Sequence, residues 1–192
     1  MAGSVALLPR EIHVLDLGCG NMQRIRGLAV KHPKRNFVGV DHTDWVGGLV
    51  LPPNAYFVQR DIVDFLSKLP RSNVRVANAD YLIHHLQREH RAVFFRELMR
   101  VVKPGGRFYV SHYLDNKLYS VGDIIIAAKR AGFQHEVTKP LLYLHEGASH
   151  STRTMAQSRG RASVNRFDEE IPGAPRVPTS VRITFVKPRE RV

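Results

Sequence analysis

This sequence of 192 residues is short of cysteine, tryptophan and acidic residues. Its single thiol, Cys19, cannot form a disulfide within the chain, which favours a reducing compartment. No apolar run approaches the ~18 residues needed to span a bilayer. The first residues carry no basic segment ahead of their short apolar patch, so they do not resemble a signal peptide. We therefore expect a cytoplasmic protein without a membrane-spanning segment.

The shortage of acids leaves the chain strongly basic. Lys and Arg total 29 against 17 Asp and Glu, which gives a formal net charge of +12 and an isoelectric point near 10.3. A field of this sign attracts polyanions, with RNA or DNA as the first candidates and an anionic membrane surface as another. Many small basic proteins bind no nucleic acid, so the charge alone leaves the partner open.

Strand and helix patterns alternate along the chain, as expected of a mostly parallel sheet covered by helices on both faces. The length suits one α/β domain over residues 1–192. The last two predicted strands can pair as an antiparallel hairpin. We predict strands at 12–17, 37–40, 56–59, 74–78, 107–113, 135–144 and 181–187, and helices at 22–31, 62–69, 81–102 and 121–131.

A stretch rich in Ser, Thr, Gly, Pro and Arg separates the last two strands, at about residues 147–180. A loop of that length without regular structure is uncommon inside a compact domain, and is usually functional or disordered. We expect a basic loop here. Its arginines before the first acid are Arg153, Arg159, Arg161 and Arg166.

An apolar run breaks abruptly into a glycine turn at Val14-Leu-Asp-Leu-Gly-Cys-Gly20. Glycine lets the backbone approach a ligand, and the helix predicted after the turn would aim its free N–H groups at the same place. Asp41, roughly twenty residues later, can accept hydrogen bonds from both hydroxyls of a ribose. It could instead cap the following turn. Gln23 stands where a dinucleotide fingerprint has its third glycine, which disfavours a nicotinamide or flavin cofactor.

Two further motifs fall at fixed places in this pattern. Arg60-Asp-Ile62 follows the third strand, and Leu98-Met-Arg-Val-Val-Lys-Pro-Gly-Gly-Arg-Phe108 leads into the fifth. With the glycine turn and Val38-Gly-Val-Asp41, their order resembles the Rossmann-like (class I) S-adenosylmethionine-dependent methyltransferases over residues 12–188. The resemblance implies a doubly wound seven-stranded sheet of order 3-2-1-4-5-7-6, with the seventh strand antiparallel.

The resemblance also implies S-adenosylmethionine as the cofactor. The glycine turn would line its methionine end, and Asp41 would hold the ribose hydroxyls. Asp61 would accept from the adenine amino group, beside Ile62. The chain departs from the family at Asn21-Met-Gln23, where many members have Thr-Gly or Ser-Gly. The cofactor-binding residues implied are Asp16, Gly18, Cys19, Gly20, Asp41, His42, Asp61, Ile62 and Asn78.

Catalytic candidates follow the fourth predicted strand. Asn78-Ala-Asp-Tyr81 distantly resembles the Asn-Pro-Pro-Tyr signature of enzymes that methylate planar nitrogens, but lacks both prolines. The rival alignment uses Leu82-Ile-His-His-Leu86, a run common among small-molecule methyltransferases. One histidine of this run could be a general base near neutral pH. A histidine pair without a third ligand predicts no metal site. The candidates are Asn78, Tyr81 and His84, with His85, His112 and Tyr113 nearby.

We therefore predict a methyltransferase that acts on a macromolecule, with RNA favoured and protein as another acceptor. The first predicted strand begins so early that we expect an open cleft without an N-terminal helical lid. One alternative is a small-molecule methyltransferase. Another is a cofactor-binding subunit without activity of its own that works with a partner chain. The oligomeric state stays open.

Overall fold

The computed structural model describes residues 8–114, 116, 119–141 and 180–189. They form a seven-stranded sheet of order β3-β2-β1-β4-β5-β7-β6, in which β7 is antiparallel to both neighbours and the other pairs are parallel. This confirms the fold class and the implied strand order. The strands are β1 (Ile12–Leu17), β2 (Phe37–Asp41), β3 (Ala55–Gln59), β4 (Val74–Asp80), β5 (Val102–Tyr113), β6 (Gln134–Leu141) and β7 (Ser180–Val186).

Helices cover both faces of this sheet. Successive strand residues point to opposite faces, and in β1 Leu15 belongs to the main core whereas Val14 packs against a smaller second core. The second core holds buried residues of α1, and the main core holds those of the other three α-helices. The helices are α1 (Gln23–Lys31), α2 (Ile62–Lys68), α3 (Arg88–Val101) and α4 (Val121–Arg130), with a 3-10 helix at Ile83–His85. Among the residues described, no helix has the length and apolarity to cross a membrane.

The prediction of one helix over 81–102 is wrong in its first part. Tyr81 has a left-handed backbone with φ 54°, and its N–H donates to the carbonyl of Ser111 in β5 at 2.9 Å. This cross-strand bond prolongs the pairing of β4 with β5, so no α-helix can start there. One 3-10 turn follows, Gln87 is extended, and α3 begins only at Arg88.

Smaller differences have equally local causes. Met22 takes a left-handed φ of 61°, so α1 begins one residue later than expected. The Lys-Pro-Gly-Gly segment is included in β5, which begins at Val102 rather than at 107. The predicted basic loop at 147–180 lies outside the described residues apart from Ser180, which begins β7.

Lys187 connects the end of β7 to the end of α3. The residue is only 8% exposed, and its Nζ donates to the carbonyls of Met99 at 2.9 Å and Val102 at 2.8 Å. Carbonyls at a helix C-terminus lack intrahelical partners, so this ammonium satisfies groups that would otherwise be buried without one.

We expect Lys187→Met to lower the free energy of unfolding by about 2–3 kcal/mol, because two charge-assisted hydrogen bonds disappear and two acceptors stay buried. Urea unfolding followed by circular dichroism measures the change. The matched control is Lys34→Met at an exposed position, which should shift stability by less than about 0.5 kcal/mol. Equal effects of the two substitutions would show that the Lys187 contact adds nothing to stability.

Candidate active site

The carboxyl ends of β1 and β4 meet where the sheet order reverses direction, the place where open α/β sheets bind ligands. Asp16 of β1 is in register with Asn78 of β4. The Asn78 Nδ2 donates to the Asp16 Oδ1 at 2.7 Å, and the two residues are 4% and 6% exposed. Two predicted site residues from distant parts of the chain are thus bonded to each other.

The two glycines of the glycine turn have different surroundings. Gly18 and Gly20 have φ of 72° and 52°, which side chains rarely adopt. A Cβ on Gly18 would lie 3.2 Å from the Leu82 side chain, whereas one on Gly20 would meet no atom within 4 Å. Gly18 therefore allows close packing, and Gly20 presents bare backbone to open space.

Asp41 lies beside this turn at the end of β2. Its Oδ2 accepts from the Gly20 N–H at 3.0 Å and its Oδ1 from the Thr43 N–H at 3.1 Å. The turn-capping contact that the sequence left as an alternative is therefore present. The neighbouring His42 is exposed, with its Nδ1 3.2 Å from the Asp41 Oδ1. The carboxylate is thereby held at the same edge as Gly20.

Asp61 and Ile62 begin α2 next to the end of β2. The Arg60 N–H donates to the Asp41 carbonyl at 2.8 Å, which brings the segment alongside Asp41. Asp61 is exposed and caps the helix, its Oδ1 accepting from the Asp64 N–H at 2.9 Å. Ile62 is 7% exposed and belongs to the main core. Only the aspartate of this pair is widely accessible.

Burial controls the acid–base properties of the inner site. It raises the pKa of Asp16 to about 6, although the Asn78 amide and the charge of Arg24 oppose the shift. Burial, followed by the charges of Asp16 and Asp41, also raises the pKa of the Cys19 thiol. Cys19 therefore stays protonated near neutral pH and is not a nucleophile here.

A charged cluster that sequence reasoning missed surrounds Asn78. Asp80 forms ion pairs with Arg24 and, at 3.7 Å, with Arg182, and it accepts from the Ser111 hydroxyl at 2.5 Å. The Arg182 Nη2 also donates to the Asn78 Oδ1 at 3.1 Å. Burial alone would raise the pKa of Asp80, but Arg24, the Ser111 hydroxyl and Arg182 together lower it. The cluster is an ion network at the floor of the site.

Aromatic rings form the outer rim at the ends of β4 and β5. The ring centroids of Tyr81 and Tyr113 are 4.6 Å apart, and Tyr113 is 42% exposed. The Tyr81 hydroxyl donates to the Ser180 Oγ at 3.2 Å, and the left-handed backbone of Tyr81 orients the ring. His84 lies 5.7 Å from Tyr113 and 5.6 Å from His112, centroid to centroid. We refer to Tyr81, His84, His112 and Tyr113 as the aromatic rim.

Both histidines of this rim have lowered pKa values. Burial, with the nearby His85, His112 and Arg91, lowers the pKa of His84 to about 4, so the imidazole is neutral at pH 7. Burial also lowers the pKa of His112, whose Nε2 lies 2.6 Å from the Tyr119 carbonyl. A carbonyl only accepts, so Nε2 carries the proton and Nδ1 the lone pair. Within the described part of the chain, Nδ1 of each imidazole is buried without a hydrogen-bond partner.

The predicted absence of a metal site is not contradicted: no group of three or more His, Cys, Asp or Glu side chains among the described residues could hold an ion.

Sequence reasoning found the residues that lie along one edge of the sheet: Asp16, Asn78, the glycine turn, Asp41 and Asp61. It missed Arg182 because only the antiparallel register of β7, with Arg182 opposite Ser111, brings it there. Arg24 carried a weak signal, since it lies in the first turn of the helix after the glycines.

Comparison with known proteins finds methyltransferases. Residues 14–106 match a family described as "Methyltransferase domain". The chain is similar to the trans-aconitate 2-methyltransferase of Acidovorax sp. (strain JS42), at 30% identity over 101 residues. That alignment covers 51% of this chain and 37% of the relative, so the chain spans little more than a third of the length of the curated relative it matches.

Solved structures extend the likeness to nearly the whole chain. A Haloferax volcanii methyltransferase in complex with the Trm112 methyltransferase activator aligns with a TM-score of 0.66 at 16% identity, covering 97% of this chain and 87% of that one. The 16S rRNA (adenine(1408)-N(1))-methyltransferase of Catenulisporales acidiphilia aligns with a TM-score of 0.61, also at 16% identity, over 97% and 89%. At such identities these structures show the fold alone. With the sheet order, they show that the chain has the seven-stranded, Rossmann-like fold of these methyltransferases, and residues 14–106, just under half of the chain, match the methyltransferase domain family.

Proposed function

We propose that this chain transfers a methyl group from S-adenosylmethionine to a planar base in RNA. The observation that carries the proposal is the aromatic rim next to Asn78, where Tyr113 is partly exposed against Tyr81. Stacking on aromatic faces is a common way to hold an unstacked RNA base. The net charge of +12 supports a polyanionic substrate.

The cofactor residues of the proposal are those implied by the resemblance, and the local geometry fits them. Gly20 presents backbone to open space of the kind a bound molecule fills, and Asp41 and Asp61 offer carboxylate oxygens beside it. When bound, S-adenosylmethionine would supply a sulfonium-activated methyl group for transfer to an acceptor lone pair, with S-adenosylhomocysteine as the leaving group. Asp16 and Asn78 would then hold the methionine end, Asp41 and His42 the ribose, and Asp61 with Ile62 the adenine. Gly18 and Cys19 complete this set as backbone of the turn.

The acceptor would enter over the aromatic rim. The side-chain oxygen of Asn78, Oδ1, already accepts a hydrogen bond from Arg182. The second lone pair of this oxygen can accept from an amino group of the base. Tyr81 and Tyr113 would stack on the ring. His84 has a pKa near 4, so it would orient the acceptor by hydrogen bonding more than remove its proton. Positioning of two reactants can supply about 7–11 kcal/mol, so a strong base is not required.

The test offers labelled S-adenosylmethionine to the protein with separate RNA, protein and small-metabolite fractions. We expect label in RNA, lowered about 10- to 100-fold by Tyr113→Ala because a stacked base loses roughly 1–3 kcal/mol. Tyr113→Phe is the matched control, since it retains the ring and should retain most activity. Label only in protein or only in metabolites would refute RNA as the acceptor.

A second candidate is a small-molecule methyltransferase. It is favoured by the trans-aconitate 2-methyltransferase relative and by the His84-containing run. A third is a cofactor-binding subunit that needs a partner, as suggested by the fold neighbour bound to the Trm112 activator. Label in no fraction, with cofactor binding intact, would favour that third candidate. We also propose that residues 1–192 form a single domain and that the protein is cytoplasmic.

A further inference from the structure

An open groove of about 670 Å³ runs between α3 and α4. Arginines line both of its sides, with Arg88, Arg91 and Arg96 on α3 and Arg130 at the end of α4. Three alanines, Tyr119 and Asp123 complete its lining. We call this feature the arginine groove and define it by those four arginines.

The charges of the groove are largely uncompensated. Asp123 is the single acid in its lining, and its carboxylate already accepts from the Ser120 backbone N–H at 3.0 Å and hydroxyl at 2.8 Å. No acid within the described residues forms an ion pair with Arg88 or Arg130. Arg96 has only a 3.7 Å contact with Glu97. Such surface pairs contribute little and exchange readily.

Arg100 lies on the same helix but has a different role from the arginines of the groove. The guanidinium of Arg100 donates to the carbonyls of Leu66 and Leu69, each at 2.7 Å, and pairs with Glu97 at 2.7 Å. Arg100 therefore fastens α3 to α2. Arg88 and Arg96, eight positions apart, stay exposed along about 12 Å of helix. That span matches a short run of nucleotides better than a single small anion.

The arginine groove lies next to the aromatic rim. The Arg91 guanidinium lies 4.2 Å above the ring of Tyr119, and its Nε donates to the Leu86 carbonyl at 3.1 Å. The carbonyl of Tyr119 in turn bonds to the His112 imidazole of the rim at 2.6 Å. Tyr119 lines the groove and His112 is the buried member of the rim, so the two features adjoin each other.

We propose that the arginine groove binds the phosphate backbone of an RNA whose target base lies at the aromatic rim. The inference rests on the RNA acceptor proposed above and adds the surface that holds it. Planar guanidinium groups bind phosphate oxygens in a bidentate fashion. The nearby stacking rings favour an RNA over an acidic protein, which would need no such rings.

The experiment measures binding of a short fluorescein-labelled single-stranded RNA by fluorescence anisotropy over a series of salt concentrations. The test variant combines Arg88→Gln, Arg96→Gln and Arg130→Gln, and leaves Arg91 in place because it packs on Tyr119. The matched control combines Lys31→Gln, Lys34→Gln and Arg35→Gln, which removes the same charge at the end of α1 and in the loop after it, where none of the three residues lines the groove. Thermal unfolding and cofactor binding report whether each variant is folded.

We expect the groove variant to bind RNA at least about tenfold more weakly, with the salt dependence reduced by about 2 in slope, near 0.7 for each lost phosphate contact. The control should change far less. Equal weakening by both variants would overturn the groove while leaving RNA as the acceptor. Competition by polyglutamate as effective as by unlabelled RNA would instead assign the groove to an acidic protein. Groove-dependent RNA binding without methyl transfer would refute only the proposed function.

Discussion

Asp41→Ala is expected to weaken binding of S-adenosylmethionine by about 10- to 100-fold. A hydrogen bond to a charged acceptor contributes about 1.5–3 kcal/mol, and each 1.4 kcal/mol changes affinity tenfold. Asp41 is 6% exposed and its carboxylate is already aligned by the Gly20 and Thr43 N–H groups, so ordering it on binding costs little entropy. Isothermal titration calorimetry with the cofactor and with S-adenosylhomocysteine measures the change.

The control is Asp44→Ala, three residues along the same segment. Asp44 is exposed and caps a turn through the Val46 N–H at 3.0 Å, so its loss imitates the capping defect alone. Thermal unfolding without cofactor shows how much of the Asp41 effect comes from instability. A folded Asp41→Ala protein with wild-type affinity would exclude Asp41 from the ribose site.

Asp16→Asn is expected to stabilise the cofactor-free protein near neutral pH by up to about 3 kcal/mol. Burial raises the pKa of Asp16 from 3.8 to about 6, so the folded state holds the proton more tightly than the unfolded state. The stabilisation from this proton is complete below about pH 4 and is lost as pH rises through about 6. A neutral amide of the same shape avoids the cost of a buried charge while it can still accept from Asn78.

Urea unfolding of the variant and the wild type at several pH values between about 4 and 8 tests this sign. The difference in unfolding free energy should be small at the acidic end and grow until about pH 7. Comparing the two proteins at each pH cancels the opposite contribution of Asp80, whose pKa is lowered and whose stabilisation is lost in acid. Asp44→Asn serves as the control and should show no such trend. A difference that shrinks as pH rises would mean that Asp16 is ionised more easily when folded.

The same substitution is expected to impair cofactor binding, because the proposal places Asp16 at the methionine end. Gain in stability with loss of function is typical of groups that are retained for binding rather than for folding. An Asp16→Asn protein that is more stable and binds the cofactor normally would leave the ionic role of Asp16 without support.

The strands were predictable because their patterns are local. Apolar runs of four to six residues end at Gly, Asp or Pro, so β1 was placed without error and β2 and β3 within one residue. The first part of the helix over 81–102 was not predictable, because its apolar spacing suits a helix. Only the bond from the Tyr81 N–H to Ser111, thirty positions away, shows that the backbone must turn.

The candidate site also has a part that local sequence patterns predict and a part that depends on the tertiary fold. Its glycines and aspartates follow strand ends, which a sequence displays directly. The ion network of Asp80 with Arg24 and Arg182 depends on three separate elements, and no spacing rule connects residue 80 with residue 182. The arginine groove could not be predicted either, because the helical periodicity gives no reason to distinguish Arg88 from Arg100. Arg100 differs because carbonyls of α2 and the loop after it lie within hydrogen-bonding distance of its guanidinium.

The position of β7 in the sheet also constrains how this chain can fold. Among the described strands β6 lies at the edge of the sheet and pairs only with β7, and the 38 residues 142–179 separate these two strands in sequence. β7 is the last strand of the chain to be made and pairs with both β5 and β6, so neither pairing can form until residues 180–186 have been synthesised. During synthesis the edges of β5 and β6 that will pair with β7 therefore stay unpaired until residues 180–186 leave the ribosome. We expect nascent chains that stop before Ser180 to be the most prone to aggregation.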